Sequence, residues 1–176
     1  MKQKKKNIIR NLALVLLLLR LTVSTCKAQV NYSIHANIVY HLTKYMEWPD
    51  NKQETFVIGI IGETPIFEEF QRSTENRVTR NRKIIVKAMS AKDVKYDCQI
   101  LFISEDESKH LKRIVEITKH QALLIITEQE GLGLRGSCIN FNIDDNHLIL
   151  EINKKNIDAK NIKVASELLT LGKIIQ

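Results

Sequence analysis

Proline, glycine and cysteine are scarce in this 176-residue chain, at two, six and three residues. So little proline and glycine excludes a collagen-like or low-complexity chain. Three cysteines are too few for a disulfide framework, and none forms a CxxC pair or a cysteine–histidine cluster with zinc spacing. The longest apolar run, residues 12–19, has eight members, where a spanning helix needs about 20. Acidic residues are missing from the first 28 positions, which hold seven basic ones. The formal charge of +7 therefore sits in that segment, and the other 148 residues carry 20 basic against 20 acidic side chains. A balanced body argues against a nucleic-acid binder and against a polybasic membrane-surface protein.

Residues 1–10 form a charged head, residues 12–19 an apolar stretch, and Cys26-Lys27-Ala28 approximates a small-x-small cleavage pattern. Residues 1–28 read as a cleaved secretory signal peptide and residues 29–176 as a single α/β domain. The alternatives are an uncleaved anchor and a lipoprotein modified at Cys26, although Thr25 fits a lipobox poorly. About 150 residues suffice for a domain with its own core, without disulfides or metal.

In the mature chain, Ile34, Ile38, Leu42, Tyr45 and Met46 recur at helical spacing and predict a helix over about 32–47. Trp48-Pro49 ends it, because the residue before proline avoids the α region. Apolar runs at 56–61, 84–86, 100–103 and 123–126 predict four strands buried on both faces. Thr64 caps a helix that Pro65 opens and that carries Ile66, Phe67 and Phe70. Residues 77–82 read as a basic loop, and 91–96 as a short helical turn. Ser104 or Asp106 caps a helix bearing Leu111, Ile114 and Val115. Alternation at 138–143 and 148–152, around Asp144, Asp145 and Asn146, predicts an antiparallel hairpin. Val164, Leu168, Leu171 and Ile175 predict a closing helix over 161–175.

This alternation implies right-handed crossovers. The expected fold class is α/β, a three-layer sandwich with a mixed six-stranded sheet in the order about 2-1-3-4-5-6. Its last two strands form the antiparallel hairpin, and helices cover both faces. In that order the fourth strand separates the strand opened by Cys98 from the one opened by Cys138. Two strand spacings come to roughly 9.5 Å, and a disulfide needs Cα atoms within about 7 Å. Both thiols are therefore expected to be free.

Candidate chemistry is sparse. The segment 131–136, GLGLRG, spells GxGxxG, but it follows Glu128 and Glu130 and leads into a strand. With no helix terminus to receive a phosphate, it reads as a flexible turn. No nucleophile elbow, Ser/His/Asp order or metal motif is present, and no cofactor is expected. Gly59, Gly62 and Glu63 end the first strand at the edge where doubly wound sheets hold ligands. The glycines there admit close approach, either of a ligand or of the next helix. Arg77, Arg80 and Arg82, with Lys83, form a basic cluster that could grip an acidic partner or an anionic glycan, or simply face solvent. Tyr45, Glu47 and Trp48 close the first helix. The tryptophan is either a partner anchor or a staple of that helix onto the sheet.

Several blocks occur in a telling order: ANIVYHLTKYMEWP at 36–49, FVIGIIG at 56–62, CQILFIS at 98–104, LIITE at 124–128 with GSCINF at 136–141, and LEIN at 150–153 with ASELLTLGKII at 165–175. Together they resemble the YfiR/HmsC-like family of exported bacterial proteins, over about residues 34–175. Tyr40, Lys44, Glu47, Trp48 and Pro49 align with the family's first block. The resemblance implies a Rossmann-like sandwich that is not an enzyme and resides in the periplasm. It implies binding to the periplasmic sensor part of an inner-membrane diguanylate cyclase, holding it off, which links the protein to cyclic-di-GMP and biofilm control. Relatives also occur with membrane histidine kinases, and a homodimer follows by the same analogy. Relatives often carry a first-strand cysteine as partner for the Cys98 equivalent; here that strand, VIGI at 57–60, has none.

The leading expectation is a periplasmic regulator that favours one state of a membrane-anchored signalling protein. Its rival is a small-ligand or cell-wall-fragment binding module using the 59–63 edge. A hydrolase would need a convergent pocket of perturbed titratable groups, for which no motif speaks.

Overall fold

The computed structural model describes residues 31–49, 53–145 and 147–176. The expected signal peptide and Cys26 lie outside the described residues. Contacts divide the chain after Val30, and the architecture below is that of Asn31–Gln176.

Helix α1 (Tyr32–Tyr45) starts at Asn31, whose side-chain oxygen accepts from Ser33 N at 3.2 Å and from Ser33 Oγ at 2.6 Å. It buries His35, Ala36, Val39, Leu42 and Thr43. This face is turned from the expected stripe, and Ile34 is left 49 % exposed. The small side chains of Ala36 and Val39 let the helix approach the sheet, a preference that a count of large apolar residues does not reveal. The helix ends because Met46 and Glu47 leave as strand β1 (Met46–Glu47), paired antiparallel with β9 (Lys163–Val164).

The other elements follow in order: β2 (Thr55–Ile61), α2 (Thr64–Thr74), β3 (Val78–Thr79), β4 (Arg82–Ala88) and β5 (Ile100–Ile103). A 3-10 turn (Glu105–His110) runs into α3 (Leu111–Ile117), followed by β6 (Leu124–Thr127) and a second 3-10 turn (Leu132–Arg135). Then come β7 (Ile139–Asp144), β8 (His147–Asn153), α4 (Lys154–Asp158), β9, α5 (Ser166–Leu171) and β10 (Lys173–Ile175). The main sheet has the order β10-β8-β7-β6-β5-β2-β4-β3. Strands β4, β2, β5, β6 and β7 are parallel, and β7 meets β8 antiparallel with Asp144 opposite His147.

Register partners point to one side of a sheet. One side gathers Phe56, Ile58, Ile100, Phe102, Ile126 and Phe141, all essentially inaccessible. Burying each such side chain stabilises the fold by about 1.5–3 kcal/mol. Helices α1 and α2 pack here: the His35 ring lies 4.7 Å from Phe141 and the Phe70 ring 5.0 Å from Phe102. The other side carries Leu101, Ile125, Thr127, Asn140 and Glu151. The second 3-10 turn covers it, since a Cβ on Gly133 would lie 3.4 Å from Glu151 Oε2. Helix α3 lies against that turn, where Gly136 meets Val115.

The six expected strands keep their expected neighbour order, but the sheet has eight strands. The addition at one edge is β3, within the segment read as a basic loop. Arg80 and Asn81 take φ of 48° and 62° and turn β3 tightly into β4. Asn81 favours such a turn, but Arg80 in the first position does not announce it. At the other edge, β10 replaces the end of the expected helix over 161–175. Gly172 is extended there, and a Cβ on it would come 2.7 Å from the Leu150 carbonyl oxygen. Helix α2 is capped by Glu63, one residue before the expected Thr64. Residues 91–96 hold a turn rather than a helix. The GLGLRG segment is a packed 3-10 turn bounded by Gly131 and Gly136 at φ of 76° and 111°, not a loose connection. Cys98 and Cys138 are buried free thiols, with β6 between the strands that follow them.

Candidate functional site

The β3–β4 turn folds back over the end of α1, and this brings the basic cluster onto the aromatic residues of the first block. Arg77 places its guanidinium 4.3 Å from the Tyr40 ring centroid and donates to Asn37 Oδ1 at 3.3 Å. Lys44 Nζ is 4.7 Å from the same ring. Arg80 donates to the Met46 carbonyl at 3.1 Å and meets Glu47 Oε1 at 3.5 Å. Arg82 lies 5.2 Å from the Phe56 ring. Trp48 meets Phe56 edge-on at 4.9 Å and donates its Nε1–H to the Gln99 carbonyl at 3.0 Å. Thr79 Oγ1 donates to the Thr43 carbonyl at 3.3 Å, which fastens β3 to α1.

Five of the six expected partner-contact residues thus converge: Glu47, Trp48, Arg77, Arg80 and Arg82. Tyr45 stands apart from the arginines, half-buried against the core, with its carbonyl accepting from Ala165 N at 2.8 Å. Lys44, Arg77, Arg80 and Arg82 gather along this face, and Arg80 pairs with Glu47. The Arg80–Glu47 pair is about half exposed on both sides, so it contributes at most about 1 kcal/mol. The surface can recognise an acidic group and stack on an exposed segment.

A family model described as YfiR/HmsC-like matches residues 32–173. The chain belongs to the YfiR/HmsC-like family. The match begins in the first turn of α1 and ends at the first residue of β10, so it takes in the other strands of the sheet and the basic–aromatic surface. No curated protein matches the chain. The YfiR/HmsC-like family is regulatory and non-catalytic, and is associated with periplasmic control of diguanylate cyclases. No described helix is long and apolar enough to cross a membrane.

The three residues expected at a ligand edge are separated in this YfiR/HmsC-like chain. Gly59 is buried, and a Cβ on it would meet Met89 Sδ at 2.5 Å, Leu101 at 3.0 Å and Cys98 Sγ at 3.1 Å. It serves close packing rather than ligand approach. Gly62 does line an open cleft of about 450 Å³. Glu63 is exposed, and its carbonyl accepts from Ile66 N to start α2.

Two buried polar groupings went unread in the sequence. Beyond the end of β6, Glu128 Oε1 accepts from the Tyr32 hydroxyl at 3.1 Å and from Glu105 N at 3.0 Å, and Oε2 lies 3.9 Å from His35 Nε2. Burial holds the Glu128 carboxyl above its usual range, and burial lowers the His35 imidazole. Burial, then the Glu128 charge, raises the Tyr32 hydroxyl. His35 lies i, i+4 and i+7 from Val39 and Leu42, the only local hint of its place. On the other side of the sheet, Asn140 donates to Glu151 Oε2 at 2.9 Å and accepts from Thr127 Oγ1 at 2.7 Å. Among the described residues, no group of three or more His, Cys, Asp or Glu side chains could hold a metal ion.

Proposed function

We infer that this protein is an exported periplasmic regulator that binds an inner-membrane signalling protein, a diguanylate cyclase or a histidine kinase, and restrains it. Residues 1–28 serve as its signal peptide, and residues 29–176 are one domain on a Rossmann-like scaffold. The observation that carries the reading is the convergence of Arg77, Arg80 and Arg82 with Glu47 and Trp48, elements separated in sequence, on one face of a chain whose family is regulatory. Such a face suits an acidic segment of the sensor, and arginine with aromatic residues is the composition that interfaces favour. Restraint follows if the regulator binds the inactive state of the sensor more tightly than the active one.

The test is cross-linking of the tagged mature protein in intact cells. An inner-membrane sensor should be captured, and Arg77→Glu with Arg80→Glu should reduce the capture by about ten-fold or more, since like charges across an interface are strongly disfavoured. Recovery of soluble proteins alone, or capture indifferent to the charge reversal, overturns the reading.

A further inference from the structure

We propose that the outer edge of β4 accepts an extended acidic segment of the partner protein as an added strand. For most of its length β4 is an edge strand: β3 pairs only with Arg82 and Lys83, and the Arg77 carbonyl then accepts from Ile84 N at 3.2 Å. The ladder to β2 fixes which groups remain. Met89 N donates to the Ile60 carbonyl at 2.8 Å, so Met89, Lys87 and Ile85 turn their backbone toward β2. The alternate residues Val86 and Ala88 turn N–H and C=O away from it, and no described strand pairs with them on that side. An edge with unpaired groups is a template for a further strand, and peptide recognition uses it in this way.

Space and charge define the occupant. An open groove of about 690 Å³ runs between this edge and α2, lined among others by Glu68, Arg72, Glu75, Lys83, Ile84 and Val86. Residues 76–92 hold six basic side chains, Arg77, Arg80, Arg82, Lys83, Lys87 and Lys92, and no acidic one. Lys83 and Lys87 are exposed and pair with no carboxylate among the described residues. By register they stand with Ile85 on the side of the sheet away from α2, while Ile84 and Val86 stand on the α2 side, where Glu68 and Glu75 line the groove. An entering strand therefore meets cations on one side, and apolar side chains flanked by carboxylates on the other. Alternate acidic and apolar residues satisfy both sides through cross-strand pairs. Lysines on an edge repel a second copy of the same strand, because the basic segment would meet its own like; an acidic strand is the occupant they admit. The edge continues from the basic–aromatic face through the Arg80–Asn81 turn, so this inference rests on the regulatory reading for the partner and adds the form in which the partner is held.

The test is an amide NMR titration of the mature chain at low salt, where exposed charges are least screened. The probes are a capped seven-residue peptide alternating glutamate and valine, and the same peptide with lysine for glutamate. Two further versions of the acidic peptide are N-methylated, one on its valines and one on its glutamates, each blocking one edge of its backbone. The acidic peptide should give saturable shifts along β4 and slow hydrogen exchange at the Val86 and Ala88 amides, and the lysine peptide should do neither. One methylated version should lose binding and the other keep it, since only one edge of the added strand faces β4. Lys87→Glu should weaken binding about ten-fold by charge reversal. Ala88→Pro removes only an outward N–H, which an edge strand tolerates, and should weaken it about as much, while Lys155→Glu on α4 should leave it unchanged. The proposal fails if the acidic peptide gives no saturable shifts on β4, if the two methylated versions behave alike, or if Lys155→Glu weakens binding as much as Lys87→Glu. Should the peptide fail while Arg77→Glu with Arg80→Glu still abolishes capture of the sensor, strand addition is overturned and the regulatory reading stands.

Discussion

The sulfur of Cys98 stands 3.1 Å from the point where a Cβ on Gly59 would be. A disulfide places each Cβ about 3 Å from the far sulfur, given an S–S bond of about 2 Å. The fold has therefore kept the geometry of a bridge on a strand that lacks the second cysteine. Gly59→Cys should close that bridge once Met89, a flexible side chain, swings aside. After mild oxidation, the mature variant should show one titratable thiol under denaturing conditions, that of Cys138. The closed loop of about 40 residues should add about 2–4 kcal/mol in non-reducing melts. Three thiols after oxidation would show that the packing cannot yield.

Both native thiols should be inert. Burial pushes Cys98 up to about 12 and Cys138 up to about 11, so neither supplies thiolate at neutral pH. A disulfide-exchange reagent at pH 8 should react only as fast as the protein unfolds. Rapid labelling of either cysteine in the folded state would contradict the burial.

Glu128 links stability to pH. Its folded carboxyl is raised by burial, against the lowering effects of the Glu105 amide and the Tyr32 hydroxyl, with the Glu105 and Asp106 charges adding to the rise. A raised acid holds its proton more tightly in the folded state, so its contribution is full at low pH and is lost as pH climbs from about 4.3 through the folded value. His35 acts oppositely: its lowered imidazole costs stability as pH falls below about 6.5. Glu128→Gln removes only the first effect. Melting temperatures of variant and wild type should be closest at pH 4 and diverge in the variant's favour toward pH 8. A difference constant across that range would refute the assignment.

Trp48 fastens α1 to the sheet through Phe56 and the Gln99 carbonyl. Trp48→Ala should cost about 3 kcal/mol in urea unfolding. Trp48→Phe, which keeps the ring contact and loses one hydrogen bond, should cost about 1 kcal/mol. If both variants unfold within about 0.5 kcal/mol of wild type, the tryptophan is free for another role.

Local pattern alone determined the six long strands and their order. Runs such as 56–61 and 100–103 can be buried only inside a helix-covered sheet, and right-handed crossovers leave few ways to connect them. It also supplied the family, through blocks whose order survives in the fold. Tertiary structure decided the rest. Strands β3 and β10 are two and three residues long, too short to carry a period, and exist only because β4 and β8 offer them an edge. The rotation of α1 depended on the small Ala36 fitting the sheet, and that rotation brought His35 toward Glu128 across 93 positions of chain. The arginines reached Tyr40 and Phe56 for the same reason: contacts between distant residues are set by how strands are ordered and packed, and no single segment's composition records that.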